Sequence, residues 1–266
     1  MRRTCKGVGQ QPHSGTGWLI AMGAQYDDIA AGYKQTKQSP LRQYIEAYSF
    51  MRMLGDVRGL RVLDLACGEG FYTRRIRETG ATAVTGVDIS AEMIALAEAE
   101  EARAPLGIDY RCANVAGLQL PDHYDCVAAA YLLHYATDFA ELQAMCRSVA
   151  ACLKPGGRLV AINENPEQSA ANYAGYTQYG FNKAFAEPRV DGSLIDYSMI
   201  AGREVIRFSA HYYTRETYEQ VLREAGFSSV RWLPLELDPA GIEACGADYW
   251  QAYLDNPPVV GLEAER

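Results

Sequence analysis

The chain has 266 residues, enough for one large domain, and its 48% of apolar and 22% of charged residues are typical of globular proteins. A net charge of −8 argues against nucleic acid as the main partner, because phosphate binding requires clustered Lys and Arg. The seven cysteines lack metal-ligand spacing, and no apolar run reaches membrane-spanning length. We therefore expect a cytoplasmic protein with no metal site and no membrane or nucleic-acid partner, while its oligomeric state stays open.

The N-terminal region divides into a polar stretch and a helix. Residues 1–21 show no apolar periodicity, so we expect a disordered tail ahead of a domain at 22–266. Between Leu41 and Leu54 the apolar residues recur at helical spacing, and Pro40 suits the first turn of a helix. These signals predict a helix that precedes the first strand.

The next hundred residues alternate between short apolar runs and amphipathic segments. The predicted strands are 61–66, 83–88, 108–112, 124–130 and 158–163. The predicted helices are 71–78, 91–102 and 138–153. This alternation predicts a parallel sheet covered by helices on both faces, which is an α/β fold.

The pattern changes after the fifth predicted strand. Residues 164–204 are rich in Tyr, Phe and Asn without a clean period, and we expect an inserted substrate cap there. Residues 205–213 alternate like a strand, 214–225 have a helical pattern, and 228–237 form the last predicted strand. This strand–helix–strand unit would complete a seven-stranded sheet.

The turn after the first strand is the first candidate for a ligand site, because parallel sheets bind ligands beyond the carboxyl ends of their strands. Small residues at Ala66, Gly68 and Gly70 allow a ligand to approach the backbone and allow the loop to adopt positive φ. Asp88 ends the second strand, where a carboxylate can accept two hydrogen bonds from ribose hydroxyls. The pattern predicts a nucleoside-containing cofactor.

A nicotinamide or flavin dinucleotide is the alternative ligand for such a loop. A dinucleotide loop spaces its glycines as G-x-G-x-x-G, whereas the third position after Gly70 is Thr73. Asp64, just before the loop, would repel a pyrophosphate but would suit a cationic amino group. Both features favour a cofactor with a methionine moiety.

This loop resembles motif I of the class I S-adenosylmethionine (SAM)-dependent methyltransferases, in the form D-x-A-C-G-x-G at 64–70. The resemblance continues through 87–90, 124–127, 133–135 and 153–158. It implies a doubly wound, mostly parallel, Rossmann-like sheet of seven strands with an antiparallel seventh strand. It also implies an N-terminal helical lid, an inserted substrate cap, and SAM bound across the ends of strands one, two and four.

The resemblance assigns cofactor roles residue by residue. Asp64 would bind the methionine amino group, Asp88 the ribose, and Ile89 the adenine. Asn114 stands where the family often has an acid that meets the adenine amine, and an amide oxygen can accept the same bond. The full predicted set is Tyr26, Tyr33, Arg42, Asp64, Ala66, Gly68, Gly70, Asp88, Ile89, Asn114, Val115, Ala130 and Tyr131.

The acceptor side carries two sets of candidates. His134 and Glu164 follow strands four and five and are candidate catalytic acid–base residues, although His134 could instead pack at the start of a helix. Aromatic residues of the cap either stack on a planar substrate or form the apolar side of an inserted helix. The candidates for substrate binding are Tyr173, Tyr176, Tyr179 and Phe181. The lid and this segment are broadly similar to the toxoflavin-type azapteridine N-methyltransferases.

The resemblance implies an enzyme that transfers a methyl group from SAM to nitrogen or oxygen of a small planar metabolite. Two alternatives stay open. The first is a nucleic-acid or protein methyltransferase, although residues 130–133, Ala-Tyr-Leu-Leu, differ from the Asn-Pro-Pro-Tyr type of motif that indicates methylation of base amino groups. The second is a protein of the same fold that no longer transfers methyl groups.

Overall fold

The structure is a computed structural model that describes residues 39–120, 123–173, 175–185, 187–201 and 204–266. The predicted tail and the lid tyrosines Tyr26 and Tyr33 lie outside the described residues.

Ten strands are described, in two sheets. They are β1 (Arg61–Leu65), β2 (Ala83–Asp88), β3 (Asp109–Cys112), β4 (Tyr124–Ala130), β5 (Leu153–Glu164), β6 (Phe181–Phe185), β7 (Leu194–Ala201), β8 (Glu204–His211), β9 (Ser229–Leu233) and β10 (Val259–Glu265). The main sheet has the order β3-β2-β1-β4-β5-β10-β9, and the second sheet has the order β6-β7-β8. In the main sheet β1 to β5 pair in parallel, and β10 is antiparallel to both β5 and β9. The predicted α/β fold with a mostly parallel seven-stranded sheet is confirmed.

Helices cover both faces of the main sheet. A π-helical turn at Arg42–Ala47 leads into the first α-helix. The α-helices are α1 (Tyr48–Leu54), α2 (Phe71–Glu78), α3 (Ala91–Arg103), α4 (Phe139–Cys152), α5 (Arg215–Glu224), α6 (Pro239–Cys245) and α7 (Ala247–Asp255). Side-chain caps fix several starts: Ser90 Oγ accepts the Met93 N–H at 3.1 Å, and Asp138 Oδ1 accepts the Glu141 N–H at 2.8 Å.

Alternation along β1 divides the core into two layers. Val62 packs in a buried cluster with residues of α1 and α2, such as Phe50 and Ile76. Leu63 faces the opposite side and packs with residues of α4, such as Leu142. Because successive strand residues point to opposite faces, a strand buried on both sides reads as a continuous apolar run. This doubly wound core fixes the carboxyl ends of the parallel strands along one edge.

The prediction that residues 205–213 complete the main sheet is wrong. That strand is β8, which pairs antiparallel with β7 in the second sheet, and the seventh strand of the main sheet is β10. The alternation of Ile206 and Phe208 with exposed residues indicates a half-buried strand, but it does not specify which sheet the strand joins. In β10, Gly261 and two glutamates obscure the apolar pattern.

The second sheet follows β5 in the chain, and its strands lie between Phe181 and His211, whereas the cap was predicted at 164–204. Its inner face carries buried side chains such as Phe181, Met199 and Phe208. Lys183 pairs in register with Tyr197, and Tyr197 pairs with Phe208. These inner residues face the edge of the main sheet at which the parallel strands end, as the cleft described below shows.

Candidate active site

The loop between β1 and α2 is held in a strained conformation by one carboxylate. Ala66 and Gly68 both have φ of +55°, a region that only glycine adopts without cost. Asp88, at the end of β2, accepts the Gly68 N–H at 2.8 Å and the Ser90 N–H at 2.9 Å. Burial raises the pKa of Asp88 above its usual value, and these backbone hydrogen bonds oppose that rise. Asp88 therefore anchors the loop as well as facing the cleft beside it.

A cleft of about 900 Å³, open to solvent, lies at the carboxyl ends of β1, β2 and β4. We call it the cofactor cleft. Eight of the predicted cofactor residues line it: Ala66, Gly68, Asp88, Ile89, Asn114, Val115, Ala130 and Tyr131. Residues that the sequence did not single out also line it: Cys67, Tyr72, Met93, Leu132, Tyr135, Glu141 and Met145. The motif-based prediction thus converges on one site.

The chemistry of this cleft fits SAM. A Cβ added at Gly68 would meet no atom within 4 Å, so the loop backbone is open to a ligand. Ile89, Met93 and Val115 give an apolar wall suited to adenine, and Asp88 gives an acceptor for ribose hydroxyls. Asn114 Oδ1 accepts the Ala116 N–H at 2.8 Å and keeps a second lone pair.

Asp64 and Gly70 are not among the lining residues of this cleft. Asp64 is buried and accepts the Thr73 hydroxyl at 2.6 Å, which ties β1 to α2. Gly70 has φ of +86°, and a Cβ there would collide with the Tyr110 hydroxyl. Both residues therefore support the loop from behind.

A second cleft of about 560 Å³ adjoins the cofactor cleft, and Tyr131 and Tyr135 line both. We call it the aromatic cleft. It is lined by Ser39, Leu41, Arg42, Glu46, Tyr131, His134, Tyr135, Tyr179, Phe181, Tyr197, Met199, Phe208, Pro258 and Val259. Sequence reasoning found only Arg42, Tyr131, His134, Tyr179 and Phe181 among them. Four of the others, Tyr197, Met199, Phe208 and Val259, come from β7, β8 and β10, which lie far from the motifs in sequence.

Arg42 and Tyr131 form the boundary between the clefts. The Arg42 guanidinium lies 4.8 Å from the centroid of the Tyr131 ring and is ion-paired with Glu46 in a buried position. Tyr131 has φ of +68°, which is strained for a tyrosine. Arg42 was predicted as a cofactor residue, and the structure places it in the aromatic cleft.

His134 is buried beside β5. Its Nδ1 lies 3.0 Å from Asn163 Oδ1 and 3.4 Å from the backbone nitrogen of Glu164, and these contacts hold the ring against β5. Burial lowers the pKa of His134 to about 4. The imidazole is therefore neutral at physiological pH.

Glu164 lies at the end of β5 and is not among the lining residues of either cleft. Its carboxylate accepts hydrogen bonds from Lys183 Nζ and from the Tyr197 hydroxyl. Sequence reasoning missed Lys183, whose only signal is its place between Phe181 and Phe185 in an alternating strand. Glu164 thus joins β5 to the second sheet.

The four aromatic candidates divide into two pairs. Tyr179 and Phe181 line the aromatic cleft. Tyr176 stacks on Phe181 with a centroid distance of 5.1 Å, and its hydroxyl contacts the Asn256 carbonyl. Tyr173 packs against Phe185 and the Lys183 ammonium. Tyr173 and Tyr176 are therefore buried supports behind the cleft wall.

Among the residues that the structure describes, no group of three or more His, Cys, Asp or Glu side chains is arranged to hold a metal ion. None of the helices described is both long and apolar enough to cross a membrane.

Comparison with known proteins agrees with this geometry. The family described as "Methyltransferase domain" matches residues 62–157. The ubiquinone biosynthesis O-methyltransferase of Nitrobacter winogradskyi is 37% identical over 114 residues, 43% of this chain and 42% of that relative. The chain thus matches less than half the length of that relative. The demethylmenaquinone methyltransferase of Tropheryma whipplei is 30% identical over 183 residues, 68% of this chain and 72% of that relative.

A solved structure extends the similarity to most of the chain. The crystal structure of an S-adenosylmethionine-dependent methyltransferase from Mesorhizobium loti superposes with a TM-score of 0.62 at 26% identity. The match covers 87% of this chain and 100% of that chain.

Proposed function

The chain belongs to the class I SAM-dependent methyltransferases, and from that premise we propose that it methylates nitrogen or oxygen of a small planar molecule bound in the aromatic cleft. When bound, SAM supplies a methyl group that its sulfonium makes electrophilic. The protein then has to hold the acceptor in line with the carbon–sulfur bond, and orientation of this kind can supply most of the rate.

We assign the binding of SAM to the residues of the cofactor cleft. Asp88 would accept the ribose hydroxyls, and Ile89 and Val115 would contact the adenine. Gly68 would offer its backbone to the ligand. Tyr131 would lie beside the methionine end, because β4 ends at that side of the cleft.

The observation that carries the proposal is that Tyr131 and Tyr135 line both clefts. A methyl group that leaves the cofactor cleft at this boundary would enter the aromatic cleft directly. The shared boundary therefore favours methyl transfer between the two clefts.

The lining of the aromatic cleft supports a planar acceptor. Tyr179, Phe181, Tyr197 and Phe208 contribute aromatic surface, which binds flat and partly apolar molecules well. The two relatives are named for ubiquinone biosynthesis and for demethylmenaquinone, and these names support an aromatic or quinone-like acceptor here.

We propose that His134 orients the acceptor. A neutral imidazole has one ring N–H and one ring lone pair, so it can form a hydrogen bond with an O–H or N–H of the acceptor molecule. Its low pKa makes it a poor carrier of a proton, because the imidazolium would be buried. A positioning role therefore fits its surroundings better than general-base catalysis.

A transfer experiment with methyl-labelled SAM tests the proposal. The protein is incubated with a metabolite extract, with total tRNA and with a protein mixture, and the label is followed by mass spectrometry. We expect the label in the low-mass fraction only, together with release of S-adenosylhomocysteine. Transfer to tRNA or protein alone would contradict the small-molecule proposal and leave the family assignment intact.

A further inference from the structure

A buried ion pair stands behind the aromatic cleft. The Lys183 side chain is fully buried, and its ammonium contacts the carboxylate of Glu164, Gln168 Oε1 and the Pro258 carbonyl at 3.5 Å. Three acceptors account for the three donors of an ammonium group. Forming a buried ion pair costs free energy, so a contribution to stability alone does not explain this pair.

The carboxylate of this pair also contacts the wall of the cleft. Glu164 Oε1 accepts from Lys183, and Glu164 Oε2 accepts from the Tyr197 hydroxyl. Because an ionised carboxylate only accepts, Tyr197 must donate its hydrogen to Glu164 and keeps lone pairs on Oη. The Tyr197 ring lines the aromatic cleft and stacks on Phe208 with a centroid distance of 5.0 Å. A hydrogen-bonded chain therefore leads from the cleft to a buried base.

We propose that Tyr197 is a catalytic residue that accepts the proton of a hydroxyl acceptor and passes its own proton to Glu164. This inference rests on the proposed function, since it requires the acceptor to bind in the aromatic cleft. As the methyl group leaves sulfur and the carbon–oxygen bond forms, the acceptor proton moves to Tyr197 Oη. The phenolic proton moves to Glu164 Oε2, and Lys183 holds the carboxylate in position.

The surroundings of Tyr197 favour a relay through the phenol. Burial, followed by the charge of Glu164, raises the pKa of Tyr197 well above its usual range, so the phenol relays the proton and does not keep a negative charge. When Glu164 takes the proton, the Lys183 ammonium keeps Gln168 Oε1 and the Pro258 carbonyl as acceptors. The net charge of the site is unchanged, because Lys183 keeps its charge while the sulfonium loses its own and Glu164 becomes neutral.

A pair of catechols tests the relay. Catechol keeps its protons at neutral pH, whereas the nitro group of 4-nitrocatechol makes one hydroxyl ionise readily, so its methylation requires no base. Initial rates of S-adenosylhomocysteine release are measured with both compounds for the wild type, Tyr197→Phe and Glu164→Gln. Tyr212→Phe is the matched control, because Tyr212 donates to the Pro166 carbonyl at 3.2 Å and is not among the residues lining either cleft.

We expect Tyr197→Phe and Glu164→Gln to lose roughly a hundredfold in kcat with catechol, as is typical for removal of a general base, and only a few-fold with 4-nitrocatechol. The ratio of the two rates does not depend on how much of a variant folds, so partial unfolding cannot imitate the result. An unchanged ratio in both variants would overturn the relay and leave the proposed function standing. If the wild type binds SAM but methylates neither compound, the result contradicts both the relay and the proposal of an oxygen acceptor in the aromatic cleft.

Discussion

Replacement of Asp88 should weaken SAM binding and should lower the stability of the folded protein, because this one carboxylate has two tasks. It accepts two backbone N–H bonds, from Gly68 at 2.8 Å and from Ser90 at 2.9 Å, and it faces the cofactor cleft. In Asp88→Ala both N–H groups lose a charged acceptor. We expect the unfolding free energy to fall by about 2–6 kcal/mol, given about 1–3 kcal/mol for each of the two N–H groups left without a partner.

Asp88→Ala should also weaken SAM binding directly, because the lost carboxylate faces the cofactor cleft. Two charge-assisted bonds to ribose hydroxyls contribute about 2–4 kcal/mol to binding, so the SAM dissociation constant should rise by roughly 30- to 1,000-fold. Asp88→Asn keeps one acceptor oxygen for the loop and should lose less stability. Isothermal titration calorimetry measures the affinity, and urea unfolding measures the stability.

Asp125 provides a matched control, because it lies near the start of β4 and not at the carboxyl ends of the strands. Asp125 accepts the Arg61 N–H at 2.8 Å and pairs with Lys154 at 2.6 Å, but it is not among the residues lining the cofactor cleft. Asp125→Ala should lower stability without changing SAM affinity. If Asp88→Ala binds SAM within about twofold of the wild type, less than 0.5 kcal/mol, the assignment of the ribose to Asp88 is refuted.

Three further predictions follow from buried groups. His134 has a pKa of about 4 in the folded state and 6.5 when exposed. Its contribution to stability is therefore complete above pH 6.5 and falls by about 3 kcal/mol as the pH drops to 4. Urea unfolding at pH 7.5 and at pH 4.5 should show that the unfolding free energy of His134→Gln depends less on pH than that of the wild type. Lys183→Met should cost about 3–5 kcal/mol of unfolding free energy by leaving Glu164 buried without its cation, and Lys183→Met combined with Glu164→Gln should recover much of that loss in thermal melts. Tyr176→Phe should lower stability by about 1–2 kcal/mol with an unchanged KM for the acceptor, whereas Tyr179→Ala should raise that KM, and the opposite pattern would exchange the roles of support and cleft wall.

The first half of the fold was predictable because its signals are local. Glycine turns and side-chain caps follow each strand directly, and β2 (Ala83–Asp88) and α2 (Phe71–Glu78) coincide with the predicted segments. The residues that line the cofactor cleft were predictable for the same reason, since many of them follow β1, β2 and β4 in sequence. The bond from the Thr73 hydroxyl to Asp64 could not be predicted from the motif, and the binding of the methionine amino group by Asp64 stays a prediction.

The acceptor side could not be predicted to the same depth, because its contacts join distant parts of the chain. Tyr197 meets Glu164 across 33 positions, and Lys183 reaches the Pro258 carbonyl across 75 positions. An alternating strand pattern specifies which residues share a face but not which strand lies alongside. Periodicity therefore predicted β8 as a strand but not its sheet, and β6, β7 and β10 were not predicted. Lys183 and Tyr197 were missed with β6 and β7.

A crystal structure with bound S-adenosylhomocysteine tests the central claim most directly, because it locates the sulfur relative to the two clefts. We predict the ribose hydroxyls on Asp88, the adenine against Ile89 and Val115, and the sulfur beside Tyr131, directed into the aromatic cleft. An adenosine moiety bound elsewhere, or a sulfur directed away from the aromatic cleft, would contradict the account of methyl transfer between the two clefts.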